Sequence, residues 1–184
     1  MRRSGPALSF LLVVFALLPA LAAGAAPVFA LGSPQITPGG TIARDFAYTQ
    51  CGGGNTSPRL EWRDPPANVR SYAVTVFDPD AGGGFWHWIA FNIGVGAYGL
   101  NPGAGTPHSG NAPGDTVQWT NGFGERGYSG PCPPPGKPHH YVFTVYAIDV
   151  PVLPVSAAAS TDDVIATIRK HAIATATLTA RYQR

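Results

Sequence analysis

Charge is scarce in this 184-residue chain: Asp, Glu, Lys and Arg make up 12% of it, with 12 basic residues against 10 acidic. So weak a balance argues against nucleic acid or an anionic membrane surface as a partner held by bulk charge. Cysteine is scarce too. There are two, Cys51 and Cys132, and none lies earlier, so the N-terminal region has no lipoprotein-type lipid acceptor. No internal repeat and no linker is visible, and the length fits one domain with a real core. Disorder is a poor reading, because Trp, Tyr, Phe and β-branched residues run through the chain.

Glycine (23) and proline (19) are abundant beside 45% hydrophobic residues. Both break helices and favour turns, so many short strands joined by ordered loops are expected. The N-terminus reads as a processing signal. Arg2 and Arg3 precede an apolar run from Ala7 to Leu18, and Ala23-Gly24-Ala25 fits a small-x-small cleavage site. The apolar run is short for a span of roughly 20 residues, which disfavours an uncleaved anchor. Residues 1–25 are therefore expected to be a signal peptide and 26–184 the mature domain, exported to the periplasm, the cell-envelope space or the medium, with no stable membrane span after cleavage. Cleavage removes two Arg and leaves ten basic residues against ten acidic. Export also allows a Cys51–Cys132 disulfide to persist. It would close a loop of about 80 residues, worth ~4.5 kcal/mol of chain entropy. Two buried free thiols are the alternative.

Along the mature chain, Thr41 to Gln50 and Leu60 to Trp62 read as short strands. Ser71 to Asp78 is apolar on both faces and suits a central strand covered on both sides. In the next strand, Phe85 to Ile93, strict alternation puts Phe85, His87, Ile89 and Phe91 on one face and Trp86, Trp88, Ala90 and Asn92 on the other. Residues 94–138, rich in Gly, Pro, Asn and Ser, form a long functional loop region. His139 to Asp149 is a strand with His139, Tyr141, Phe143, Val145 and Ala147 on one face. Ser160 caps a short helix with an apolar stripe of Val164, Ile165, Ile168 and Ala172. Thr175 to Tyr182 closes the chain as a strand. The expected class is mainly β and mostly antiparallel, with little helix.

Three segments carry candidate chemistry. Asp78-Pro79-Asp80-Ala81 puts a carboxylate at the end of a buried strand. As a calcium loop it fails, because Ile89 stands where the twelfth-position Glu is needed. As an ordinary turn it would use Asp to cap backbone amides. His87 lies in an aromatic strand and His139 opens an apolar one. A histidine in such surroundings needs a hydrogen bond, and taken alone is more often a satisfied core residue than a ligand group. Together with Asp78 they could form a two-His, one-carboxylate metal site, although no metal motif shows in the spacing. Gly127-x-Ser129-Gly130 looks like a nucleophile elbow, but Pro131 and the prolines after it cannot continue into the helix an elbow feeds. A stiff loop whose remaining amides face an anion is the better reading.

Taken together, the segment Cys51 to Pro58 with Leu60 and Trp62, Asp78 to Ala81, His87-Trp88 with Asn92-Ile93, Asn121 to Pro134, and His139 with Tyr141 resemble the phosphatidylethanolamine-binding protein family, in its bacterial Raf-kinase-inhibitor-like branch. They occur in family order over roughly residues 28–183. The resemblance implies two antiparallel sheets packed as a sandwich, with a short helix near the C-terminus. It also implies a pocket at one sheet end for phosphate, phosphorylethanolamine, acetate or similar anions. That pocket would use Asp78, His87, His139 and Tyr141, with Asp80 and the Gly130 to Pro134 loop, including Pro133 and Pro134, as its wall and Phe85 at its mouth. Two departures stand out: Gly82-Gly83-Gly84 replace the proline usual after the Asp-Pro-Asp-Ala motif, and His140 replaces an arginine. The reading is a non-enzymatic binding protein that needs no cofactor and no metal. The alternatives are an inhibitor of a protease or kinase acting through residues 94–138, and a metal-dependent hydrolase.

Overall fold

A computed structural model describes Met1 and residues 28–184 of the chain. The expected signal peptide and its cleavage site lie outside the described residues. Eight strands and one α-helix are found among the described residues. A small antiparallel sheet has the order β1-β2-β5, from Ala30–Gly32, Leu60–Arg63 and Gly99–Leu100. A larger one has the order β6-β4-β3-β7-β8, from Val117–Gln118, Phe85–Gly94, Ser71–Asp78, His139–Ile148 and Ala172–Tyr182. Every strand pair in both sheets is antiparallel.

β3 sits in the middle of the large sheet and is buried along nearly its whole length, as its two-sided apolar sequence requires. On one face Tyr72, Val74 and Val76 meet Trp88, Tyr141, Phe143 and Leu178, with Leu60 and Trp62 of the small sheet closing the core. On the other face Ala73, Ile89, Phe91 and Ile148 pack against Val164, Ile165 and Ile168 of helix α1, Thr161–His171. That helix starts on a capping box: Asp163 N–H donates to Ser160 Oγ, and Ser160 N–H donates back to Asp163 Oδ2. The helix ends earlier than its apolar stripe implied. Ala172 already belongs to β8, which pairs along β7 for its whole length.

Two local expectations are corrected. Thr41 to Gln50 is not a strand. Apart from an isolated bridge at Thr41, it forms 3-10 turns at Arg44–Phe46 and Thr49–Cys51, tied down by Tyr48 N–H donating to the Pro131 carbonyl. In β4, strict alternation breaks. Val76 pairs with Trp88 and Phe77 with Trp86, so His87 is bulged out of register. Trp86 therefore joins the helix-side cluster with Ile89 and Phe91, while Trp88 and Ala90 face the small sheet. A bulge re-aims a side chain, and here the re-aimed side chain is His87. A second irregularity sits where Tyr72 pairs with Ile93 and Val74 with Ala90, and there Asn92 adopts a positive φ of 60°.

The expected disulfide is present. Cys51 and Cys132 are bonded with Cα atoms 5.6 Å apart, clamping the turn at residues 49–51 to the proline-rich loop.

Candidate functional site

The site follows from strand direction. β3 ends at Asp78, where antiparallel β4 and β7 begin, so Asp78, Phe85 and His139 share one end of the sheet. Beside them is a small cavity of about 120 Å³, lined by Asp78, Phe85, His87, His139 and Tyr141 from the strands and by Phe123, Cys132, Pro133 and Pro134 from the long loop, with Ala81 at the turn. The two histidines, 52 positions apart in sequence, meet at this one place.

Asp78 organises the centre. It is 2% exposed. Its Oδ1 accepts from the N–H groups of Asp80 (2.8 Å) and Ala81 (3.1 Å), and its Oδ2 accepts from His139 Nδ1–H at 2.7 Å. The carboxylate is thus both the turn cap and the orienter of an imidazole. A carboxylate can only accept, so His139 carries its proton on Nδ1 and leaves Nε2 for a ligand.

His87 is 3% exposed, and its Nδ1–H donates to the Ser129 carbonyl at 2.7 Å. Burial is the main influence on its basicity and lowers its pKa, outweighing the Ser129 carbonyl and the Asp78 charge, which act the other way. The neutral ring is therefore favoured, with a bare Nε2. Ser129 itself is fixed by neighbours: its Oγ donates to Glu125 Oε2 (2.7 Å) and accepts from Asn121 Nδ2 (2.8 Å). That makes it a strut holding His87 through its carbonyl.

Tyr141 is fully buried, and its hydroxyl has no hydrogen-bond partner in the protein. The Asp78 carboxylate and the Cys132 N–H lie near it without reaching hydrogen-bond geometry; burial first, then Asp78, pushes the phenol well above its usual range. It stays an O–H donor across the pH range in which proteins fold.

Rings form the rest of the wall. Phe85 and Phe123 meet edge to face at 4.7 Å, and Phe123 stacks on Tyr48 at 4.4 Å. His87 lies 4.9 Å from Phe85 and 5.1 Å from Tyr141, ring to ring. Phe123 remains 37% exposed at the mouth. The sequence reading missed it, along with Ala81, while Cys132 lies within the Gly130 to Pro134 loop expected in the wall. Its signal was Asn121-Gly122-Phe123-Gly124, an aromatic isolated among turn residues. Asn121 builds that turn, its Oδ1 accepting from Phe123 N–H (2.9 Å) and Glu125 N–H (3.2 Å).

Two residues expected in the wall are placed elsewhere. Asp80 points away from the cavity, its Oδ2 accepting from His140 N–H (2.6 Å) and His140 Nδ1–H (2.8 Å). Those bonds, backbone first, hold its carboxyl below the usual range. The arginine position of the family motif is thus filled by a histidine that still ties the two segments together. Gly130 lies behind the wall: its N–H donates to Asn55 Oδ1 at 2.8 Å, and a side chain there would collide with the Phe46 carbonyl. The loop amides are therefore mostly unavailable to an anion, contrary to the stiff-loop expectation, because prolines remove some and Asn55 takes another. The glycines after Ala81 also have a local cause. Gly84 has φ 82°, and a Cβ on it would strike the Phe77 ring.

Among the described residues, no group of three His, Cys, Asp or Glu side chains could hold a metal ion. Among them, too, no helix is long and apolar enough to cross a membrane.

Residues 32–183 match the family model of the phosphatidylethanolamine-binding proteins. The chain belongs to that family. UPF0098 protein YbcL of Escherichia coli (strain K12) is 42% identical over 146 residues, 78% of this chain and 80% of that protein. UPF0098 protein YbhB of the same organism is 39% identical over 132 residues, 71% of this chain and 83% of that one. LppC of Mycobacterium tuberculosis (strain ATCC 25618 / H37Rv), a lipoprotein by its name, is 38% identical over 130 residues, 70% of this chain and 59% of its own. The crystal structure of E. coli YbcL, described as a new member of the mammalian PEBP family, superposes with a TM-score of 0.81 at 38% identity, covering 85% of this chain and 98% of YbcL. The phosphatidylethanolamine-binding fold accounts for both sheets and for the helix between β7 and β8.

Proposed function

We propose that this family member is an exported, non-enzymatic binding protein whose pocket takes a small anionic or zwitterionic group, of which phosphate and phosphorylethanolamine are the type. The observation that carries the reading is the buried, unpartnered Tyr141 hydroxyl, which lines the same small cavity as His87, His139 and Asp78. An orphaned buried hydroxyl costs about 1–3 kcal/mol, a penalty that a ligand oxygen removes. The Asp78–His139 pair adds an imidazole held in place through Nδ1 by a buried carboxylate. A cavity of about 120 Å³ suits a headgroup and not an acyl chain.

Ligand binding needs only donors and a shaped wall, and the pocket offers both. The side chain an elbow-type hydrolase would use, Ser129, has its oxygen committed to Glu125 and Asn121. Export rests on the Arg2-Arg3, apolar and Ala23-Gly24-Ala25 pattern together with the disulfide, and it accords with the lipoprotein name of the relative LppC. Inhibition of a protease or kinase through residues 94–138 has no observation favouring it here.

Calorimetric titration of phosphorylethanolamine into wild type and Tyr141→Phe tests the reading. The expected result is saturable one-to-one binding, weakened about tenfold by loss of the hydroxyl. Identical binding by the two proteins would refute it.

A further inference from the structure

The two imidazoles of the pocket are wired differently, and one consequence concerns the proton on the ligand. His87 spends its Nδ1–H on the Ser129 carbonyl, so the nitrogen it offers to the cavity is Nε2. In the neutral ring that nitrogen is a lone pair: it accepts and cannot donate. A fully deprotonated oxyanion would meet it acceptor to acceptor. An oxyanion that still carries a proton would give it an O–H donor.

We propose that His87 makes the pocket read the proton on its ligand, preferring a protonated oxyanion such as hydrogen phosphate or a phosphomonoester with a P–OH over a proton-free anion of the same shape. This rests on the anion reading of the pocket. No bond is made or broken: the ligand O–H donates to His87 Nε2, while Tyr141 O–H and the His139 ring address the other oxygens.

The surroundings of His87 support the neutral ring. Asp78 on β3 is the acidic group facing it, and that carboxylate is already engaged by two backbone N–H groups and by His139. From β7 it meets His139, whose charge would oppose its own, and the Tyr141 ring. From the long loop it meets the Ser129 and Gly130 carbonyls and the Phe123 ring, with Glu125 one hydrogen bond behind at Ser129 Oγ. Phe85 of its own strand covers it from the mouth. Burial dominates this set and lowers the His87 pKa.

Sulfate is the isosteric control, since it carries no proton at neutral pH. Titration calorimetry would compare phosphate with sulfate at neutral pH, and phosphorylethanolamine with ethanolamine O-sulfate at about pH 6, where about half of the phosphomonoester still carries its P–OH. The phosphoryl member of each pair is expected to bind about tenfold tighter or more. Equal affinities within the pairs would overturn the proposal and leave the anion pocket standing. Absence of binding by all four would overturn the pocket reading as well. Glycerophosphoethanolamine, the diester head of an intact phospholipid, separates a lipid source from a free phosphomonoester. It has no P–OH and is expected to group with the sulfates, and binding as tight as that of phosphorylethanolamine would contradict the proposal. Lowering the pH should rescue sulfate as His87 gains a proton; a sulfate affinity that does not rise on acidification would count against it. His87→Gln, which offers an amide N–H donor, is expected to bring the phosphate-to-sulfate ratio close to one. An unchanged ratio in the folded variant would overturn the proposal, and should the variant fail to fold, the wild-type pairs decide.

Discussion

Two Asp–His pairs stand side by side where β3 gives way to β7, and they do different jobs. Asp78 with His139 is nearly dry, with side chains 3% and 16% exposed, and it faces the cavity. Asp80 with His140 has the same chemistry and almost the same Nδ1–Oδ2 separation, 2.8 Å against 2.7 Å, but its side chains are 41% and 50% exposed and it lies outside the cavity. Position along the turn decides this. Asp78 is the last residue of the strand and lines the cavity together with Phe85 and Tyr141, whereas Asp80, two residues on, has left the sheet. A buried carboxylate must have all its partners, and an exposed one is worth little because water competes. The inner pair is accordingly the site and the outer pair a clasp.

The comparison should break most visibly at Asp78. Asp78→Asn keeps the shape but turns an amide N–H toward the His139 Nδ1–H. A loss of about 3 kcal/mol in urea unfolding is expected, together with loss of phosphorylethanolamine binding. Stability unchanged within error would mean that the inner pair is not what holds this corner. His87 sharpens the same contrast through pH. Its folded pKa is lowered, so the unfolded chain binds the proton more readily; the neutral ring's contribution is whole above the unfolded value of about 6.5 and is lost as pH falls below it toward the folded value. The urea midpoint should therefore drop between about pH 7 and 5, and His87→Gln should flatten that slope. A slope unaltered by the substitution would show that other groups set it. The smallest effect belongs to the outer pair. Asp80's depressed carboxyl contributes stability above its ordinary value of about 3.9 that is lost as pH falls through the folded value. Exposure keeps the contribution small, and Asp80→Asn should cost only about 0.5 kcal/mol at neutral pH. A loss as large as that of Asp78→Asn would erase the distinction drawn here.

Much of this was legible in the sequence, for identifiable reasons. The two-sided apolar run of β3 announced a central strand, and the Ser160 cap with its apolar stripe announced α1. Asp78, His87 and His139 stood out because polar groups in apolar strands or at their ends need partners, and Tyr141 entered through the family resemblance. Alternation failed in β4 because a bulge is a pairing event between strands and leaves no mark on the period of one strand alone. The 3-10 turns around Tyr48 were misread because their shape comes from long-range bonds, such as Tyr48 N–H to the Pro131 carbonyl. Asp80 and Gly130 were put in the wall by analogy along the chain; which way a residue faces after a turn is decided by partners, here His140 and Asn55. Phe123 was overlooked because its role depends on Asn121 folding the loop back over His87.

The most direct check is a crystal structure of the protein soaked with phosphorylethanolamine. The account predicts the phosphoryl group in the pocket, with one oxygen on Tyr141 Oη and others against the Nε2 atoms of His87 and His139. A headgroup seated elsewhere, for instance in the groove of about 470 Å³ over the small sheet beside Arg59 and Tyr98, with the histidine pocket left unfilled, would contradict it.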